Sequence, residues 1–420
     1  MQRREFLSLA ARAGVVIPAW AVIPEAQAQS YTGRILINIH ASGGLDQSSW
    51  TDPRDADRLI NNYAAAGTPA VVAGNIRVAP MGNNAAFFGA HFRNMLVING
   101  VHSETNGHDE GTRAHATGRL DMGYPNISEL FASKNGAGMP MAWINGGGFS
   151  TSAGLVAATR VPDANAFRAL ATPNAANATN DFMKASDLAR TQSVRAERMR
   201  ALQARGDLLP RSKVTVQEFL SSADSRAMLS RIAQGLPAQF DNGFQQAHIA
   251  LIAAQAGLAS TIQLSSGGFD THSNHDQGMA NALPQLTNLV DYLWTKSAEL
   301  GVSNRLFVRI YSEFGRTALN TGNGKDHHEV GCQVLMEANA PWGNRVFGAS
   351  GPKHEARRIN PTTGAIDNTA GFVIRPRHIH AAMRKYLNIE TTDPRFNLKV
   401  PANEQFDFFN PALNTGYPMV

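Results

Sequence analysis

The chain has 420 residues, 45.2 kDa, with 43% hydrophobic and 17% charged residues, enough apolar material for one large α/β domain with insertions or for two or three domains. A single cysteine, Cys332, excludes an intrachain disulfide and any cysteine-built zinc or iron–sulfur site. The net charge of +5 is small for this length and forms no concentrated run, which argues against a nucleic-acid partner; no window approaches the ~18 apolar residues of a membrane span.

Residues 1–28 run from Arg3-Arg4-Glu5-Phe6-Leu7 through an apolar stretch, Ala13 to Ile23, to Ala26-Gln27-Ala28. This basic, apolar, small-residue order is that of an export signal with an A-x-A cleavage site, and the arginine pair resembles the twin-arginine signal. Pro18 and Pro24 argue against a core helix. The mature chain is expected to begin near Gln29 and to work in the periplasm or outside the cell.

Five short apolar runs then read as strands. They are Arg34 to His40, Met95 to Asn99, Met141 to Asn145, Thr261 to Leu264 and Arg305 to Tyr311. Each ends in a polar or Gly-rich loop, which predicts a mostly parallel sheet. Helices are expected over 214–235, 243–258, about 276–300 and His378 to Leu387. Residues 150–212 are rich in Ala, Asn and Arg, and are read as an insertion or cap with a polar helix around 183–206. Four prolines in the last 32 residues suggest that 391–420 is an extended surface strap, leaving 29–390 as the main α/β domain.

Open α/β sheets carry their sites at the carboxyl ends of the strands. Asp46 follows Gly43-Gly44; His108, Thr112 and His115 lie in a polar segment after the second strand. Asp270, His272 and His275 follow the fourth strand. Glu313 follows the fifth, and the nearby turn Gly322 to His328 supplies Asp326 and His327. Mixed carboxylate and imidazole donors suit zinc, manganese or iron. Taken singly, each has a plainer explanation. Asp46 is suited to a turn or helix cap, His272 to satisfying loop backbone, Asp326-His327-His328 to a solvated tip, and Glu313 to an ion pair with Arg316. His40 is read as structural; His354, His378 and His380 fall outside the pattern and are read as surface or capping groups.

Gly43-Gly44-Leu45-Asp46, Gly268-Phe269-Asp270-Thr271-His272, Ser312-Glu313-Phe314-Gly315-Arg316 and Asp326-His327, in this order behind a twin-arginine leader, resemble domain-of-unknown-function family 1501. That family looks like a branch of the alkaline phosphatase and sulfatase superfamily. The resemblance implies a three-layer α/β sandwich with a mostly parallel central sheet and a two-metal site at the strand ends. It implies divalent cations, zinc or manganese, on Asp46, Asp270, His272 or His275, Glu313 and His327, with Asp326 beside them. In phosphatases of this class a Ser or Thr lies ten residues before the Gly of a Thr-Gly pair. Counting back from Thr117-Gly118 lands on His108. The sulfatase C/S-x-P-S-R motif is absent, and Phe314 stands where a histidine ligand is usual.

Two functions follow. One is an exported, metal-dependent hydrolase of phosphate-type esters, acting on a small-molecule or polymer substrate, with His108 as nucleophile or further metal ligand, or Thr112 supplying the attacking alkoxide. The other is a non-catalytic exported metal- or partner-binding protein that keeps the fold.

Overall fold

The computed structural model describes residues 31–54, 57–175, 179–224, 226–237, 239–240 and 244–413. The expected leader, with its arginine pair and its Ala26-Gln27-Ala28 site, lies outside them.

The chain is a mixed α/β structure around one eight-stranded sheet. Its strands are β1 (Ile35–Ala41), β2 (Met95–His102), β3 (Trp143–Asn145), β4 (Ala158–Arg160), β5 (Thr261–Ser266), β6 (Leu306–Tyr311), β7 (Val330–Glu337) and β8 (Arg345–Phe347). They are ordered β8-β2-β7-β6-β1-β5-β3-β4. β1 pairs in parallel with β5 and β6, and the parallel relation continues through β3 and β4. β7 is antiparallel to both its neighbours, β2 and β6, while β8 runs parallel to β2. Seven strands therefore share a direction, and one opposes them.

All five predicted strands form. Their β-branched and leucine-rich runs are buried on both faces, as parallel strands in a covered sheet must be. β7 was not anticipated. Its sequence, Val-Gly-Cys-Gln-Val-Leu-Met-Glu, alternates with neither period, because Gln333 is buried for a polar reason. The Gln333 side-chain amide donates to His115 Nδ1 at 2.8 Å, and its carbonyl oxygen accepts from Arg309 Nε at 2.9 Å. Cys332 lies inside this strand, beside an irregularity in its pairing with β2. Burial pushes its thiol up to about 12, so it is inert as a nucleophile at neutral pH.

Helices α1 (His108–Thr117), α2 (Ile127–Asn135), α3 (His275–Glu299) and α4 (Pro376–Tyr386) belong to the same unit as the sheet. Residues 108–117, expected as part of a long polar loop, are helical. Gly118 ends α1 at φ 84, and Asp109 and Glu110 sit in the first turn, where the helix dipole favours acids. α3 buries Met279, Leu283, Leu286, Val290 and Leu293 at helical spacing and carries Pro284 inside it. Ile127, Leu130 and Phe131 of α2 and Ile379 and Met383 of α4 join Leu36, Leu96, Phe307 and Leu335 in one apolar cluster. Phe406, Phe408 and Phe409, near the C-terminus, belong to the same cluster.

A second compact unit comprises, among the described residues, Tyr31, Gly138–Met141 and Val161–Ala259. It is helical, with Ala164–Ala171, Ala185–Gln203, Pro210–Asp224, Arg226–Gly235 and Gln245–Gln255. The expected polar helix near 183–206 is Ala185–Gln203, and it buries no residue. Phe167 and Ile232 are buried within this unit.

His354, His378 and His380 are not surface groups: all three are buried. His378 does act as a cap, its Nδ1 accepting from the Arg375 backbone N–H at the start of α4. Burial pushes His115 down to about 3 and His354 down to about 4, and holds His380 well below its ordinary value. These side chains stay neutral in the folded protein but protonate near pH 6.5 once unfolded. Below that pH the unfolded chain takes up protons that the folded one refuses, so stability falls. Each contributes a slope of up to about 1.4 kcal/mol per pH unit. Urea unfolding between pH 7 and pH 4.5 should show this steep decline; a flat profile would contradict it.

Candidate metal centre

The loops after β2, β5 and β6 meet over the C-terminal end of β1, and four predicted residues come together there. His108, Asp270 and His327 form the one group, among the described residues, whose potential ligand atoms all lie within 4.8 Å of one another. His272 joins from the side, with Nε2 3.0 Å from Asp270 Oδ1 and 3.1 Å from His327 Nε2.

Each imidazole is fixed by an acceptor on its far nitrogen. His327 Nδ1 faces the Asn106 carbonyl oxygen at 2.9 Å; a carbonyl only accepts, so Nδ1 carries the proton. His108 Nδ1 lies 2.9 Å from Glu313 Oε1, and His272 Nδ1 lies 3.2 Å from Asp326 Oδ1. With its proton on Nδ1, the neutral form of each ring would offer Nε2 as the ligand atom. Nε2 of His108 is 3.6 Å and that of His327 3.3 Å from an Asp270 oxygen. Ligand imidazoles are commonly oriented in this way, by an acceptor behind them.

Glu313 stands behind the cluster, not in it. The carboxylate is 1% exposed and accepts from His40 Nε2 at 2.9 Å, the Gly43 backbone N–H at 2.8 Å and Ser312 Oγ at 2.9 Å, besides His108. Burial alone would raise its pKa. The bonds from His40 and His108 outweigh burial and hold the carboxyl well below the usual range. It does not pair with Arg316. That guanidinium is buried and reaches Asp270 Oδ1 at 2.5 Å, the Gly44 carbonyl at 3.0 Å and the Lys325 carbonyl at 3.0 Å, and also touches the Gly43 carbonyl. Asp270 is half exposed; despite partial burial, Arg316 lowers its pKa.

Asp46 and His275 have different partners. Asp46 caps the short helical turn Gln47–Ser49, accepting from Ser48 N–H at 2.9 Å, and is fully buried. Its Oδ2 lies 2.9 Å from His275 Nε2 and 2.7 Å from Lys325 Nζ. Burial would raise the Asp46 carboxyl, but the Lys325 charge and the His275 bond hold it well below its ordinary value. Thr271 Oγ1 donates to His275 Nδ1 at 2.7 Å. Thr271, His275 and Asp46 thus line up as hydroxyl, imidazole and carboxylate. Thr271 is only 6% exposed, however, and its side chain faces inward while its neighbours Asp270 and His272 face the cluster. This row supports the loop. Thr112 lies a turn along α1 from His108, half-buried, with none of the bonds that tie the cluster together.

Sequence reasoning missed His40, Lys325 and the partner of Arg316. His40 carried a usable signal, since it lies in the strand-end segment just before Gly43-Gly44. Lys325 carried none beyond its place beside Asp326 and His327.

Gly43 shows how closely the loops approach. It holds φ +120, and a Cβ there would fall 2.5 Å from the Asp270 backbone nitrogen. Gly43→Ala is expected to displace the Asp270 loop and weaken zinc binding about 10-fold or more, the loss usual when ligand orientation is disturbed. An unchanged zinc isotherm would contradict this.

Three imidazoles and a carboxylate, with no thiolate, fit zinc, and also manganese or iron. No curated protein matches the chain. Among solved structures, TAB5 alkaline phosphatase mutants with Mg bound in the M3 site match at TM-scores of 0.35 and 0.34, with 10% identity over 86% of this chain and 100% of theirs. Ps i-CgsB in complex with k-i-k-neocarrahexaose matches at a TM-score of 0.35, with 9% identity over 90% of this chain and 76% of that one. Residues 147–350, which carry Asp270, His272, Glu313 and His327, match the model of a family described as a protein of unknown function, DUF1501.

Proposed function

We propose that this protein is an exported, metal-dependent hydrolase of phosphate-type esters, with its cation held by His108, Asp270 and His327 and by His272 beside them. The observation that carries the reading is the shared orientation of the three imidazoles. Each has Nδ1 committed to an acceptor and Nε2 turned towards Asp270. Three imidazole nitrogens converging on one carboxylate make a ready ligand set for a divalent ion.

A bound divalent ion there supplies Lewis acidity and a water acidified towards pH 7. The protein's own residues do the positioning. Glu313 holds the His108 proton on Nδ1, so in this reading His108 serves as a ligand and not as the attacking group. Arg316 holds Asp270 Oδ1 and leaves Oδ2 facing His108. His40 and the Gly43 N–H keep Glu313 ionised and fixed.

One observation favours the second reading, a non-catalytic exported metal- or partner-binding protein. Arg316 is buried and spent on Asp270 and loop carbonyls, so it is not free to clamp a phosphate. Metal analysis of the purified protein, alongside hydrolysis of p-nitrophenyl phosphate and bis-p-nitrophenyl phosphate, separates the two. Metal with turnover of either ester supports the hydrolase, and metal without turnover of any ester supports the binding protein. Absence of bound metal after loading with zinc or manganese defeats the hydrolase and the metal-binding form of the second reading, leaving partner binding. Export is tested by changing Arg3 and Arg4 to lysine, which should leave the precursor in the cytoplasm; mature protein in the periplasm would refute it.

A further inference from the structure

We infer that Lys325 is a built-in cation, its ammonium filling a pocket of metal-type donors so that the protein holds one divalent ion and not two. This rests on the reading of the outer cluster as a metal site. The inner pocket consists of Asp46, Ser48, Asn61 and His275, all 0% exposed. Carboxylate, imidazole, amide carbonyl and hydroxyl oxygen together make an ordinary donor set for a divalent ion. Lys325 Nζ lies 2.7 Å from Asp46 Oδ2, 2.9 Å from Asn61 Oδ1 and 3.0 Å from Ser48 Oγ. An ammonium has three protons to donate, and here it meets three acceptors. A buried carboxylate needs a countercharge, and this one has it from within the chain.

The lysine is no stray surface side chain. Its own side chain is 0% exposed, its backbone N–H donates to the Thr271 carbonyl at 2.9 Å, and its carbonyl accepts from Arg316. It is therefore pinned between the two loops that carry Asp270, His272 and His327. The placement also accounts for a separation in the structure. Asp46 and His275 have the chemistry of ligands, yet they are bonded to each other, and Asp46 to Lys325, while His108, Asp270 and His327 assemble without them.

The test is zinc stoichiometry, by titration of the stripped full-length protein followed by native mass spectrometry. Wild type is expected to hold one tight equivalent, lost in His327→Ala. A second equivalent that survives in His327→Ala would overturn the proposal. Lys325→Ala should gain an additional tight equivalent, retained in the double variant with His327→Ala. If Lys325→Ala folds only when zinc is present, that rescue is the same result read through folding. A Lys325→Ala protein that binds no additional zinc, or that zinc does not rescue, overturns the inference. Failure of the outer site looks different: wild type then binds no zinc, while Lys325→Ala, alone or with His327→Ala, still binds one.

Discussion

Replacing His327 with alanine is expected to abolish metal retention while leaving the fold intact. His327 sits at the centre of the cluster, with its Nε2 3.3 Å from Asp270 and 3.1 Å from His272, and its ring centroid 4.6 Å from that of His108. Disturbing a group behind a ligand typically costs 10–100-fold in affinity; removing the ligand should cost about 100-fold or more. The stability change should be small, because the side chain lies in a partly exposed two-strand hairpin pairing His327–His328 with Gly315–Arg316. Isothermal titration with zinc, alongside thermal unfolding of the stripped protein, measures both. Unchanged zinc affinity would remove His327 from the site.

Asp46→Ala should do the reverse. Its carboxylate is wholly buried against Lys325 and His275, so its removal leaves a buried ammonium with two neutral oxygens in place of a carboxylate. Breaking such a pair from one side costs about 3–5 kcal/mol. For a chain of this size that is a fall in the unfolding midpoint of about 3–6 °C. The folded carboxyl is held well below its ordinary value of 3.8, so its contribution is complete above about pH 4 and is lost as the pH falls further. The gap between wild type and Asp46→Ala should therefore be widest near neutrality and narrow in acid. Zinc binding at the outer cluster should survive wherever the variant is folded. An unfolding midpoint equal to that of wild type would show that the pair does not stabilise the fold.

Much of the sheet was legible because parallel strands buried on both faces are written as unbroken apolar runs. Arg34 to His40 and Arg305 to Tyr311 could hardly be anything else. β7 was hidden because a buried glutamine and a glycine interrupt its pattern, and what makes Gln333 a core residue is a bond to His115, 218 positions away. The site was half legible for a related reason. Residue type and strand-end position marked Asp46, His108, Asp270, His272, His275, Glu313 and His327 as able to hold a cation. Neither tells which acid faces a histidine and which faces a lysine. Asp46 and Asp270 both follow a glycine-bearing turn after a strand, and what separates them is Lys325, which lies within one residue of Asp326 and gives no sign in sequence of pointing inward. Glu313 was expected as a ligand and instead stands behind the cluster, because its partners His40, on β1, and His108, on α1, lie 273 and 205 residues distant.

The sheet's strand order has a consequence for how the chain is made. β1 is synthesised early, yet both its neighbours come late: Thr261 reaches back 225 residues to bond Leu36, and Ser312 reaches back 271 to bond Ala41. β7 then has to insert between β2 and β6 with the opposite polarity. A ribosome that has made the first 250 residues has produced two long strands with no partners, and they must avoid other chains until the rest arrives. Such long-range pairing slows folding, and unpaired apolar strands invite aggregation meanwhile. Because Phe406, Phe408 and Phe409 complete the same apolar cluster as Leu36 and Leu96, that cluster closes only once segments from both ends of the sheet-bearing unit are available to it.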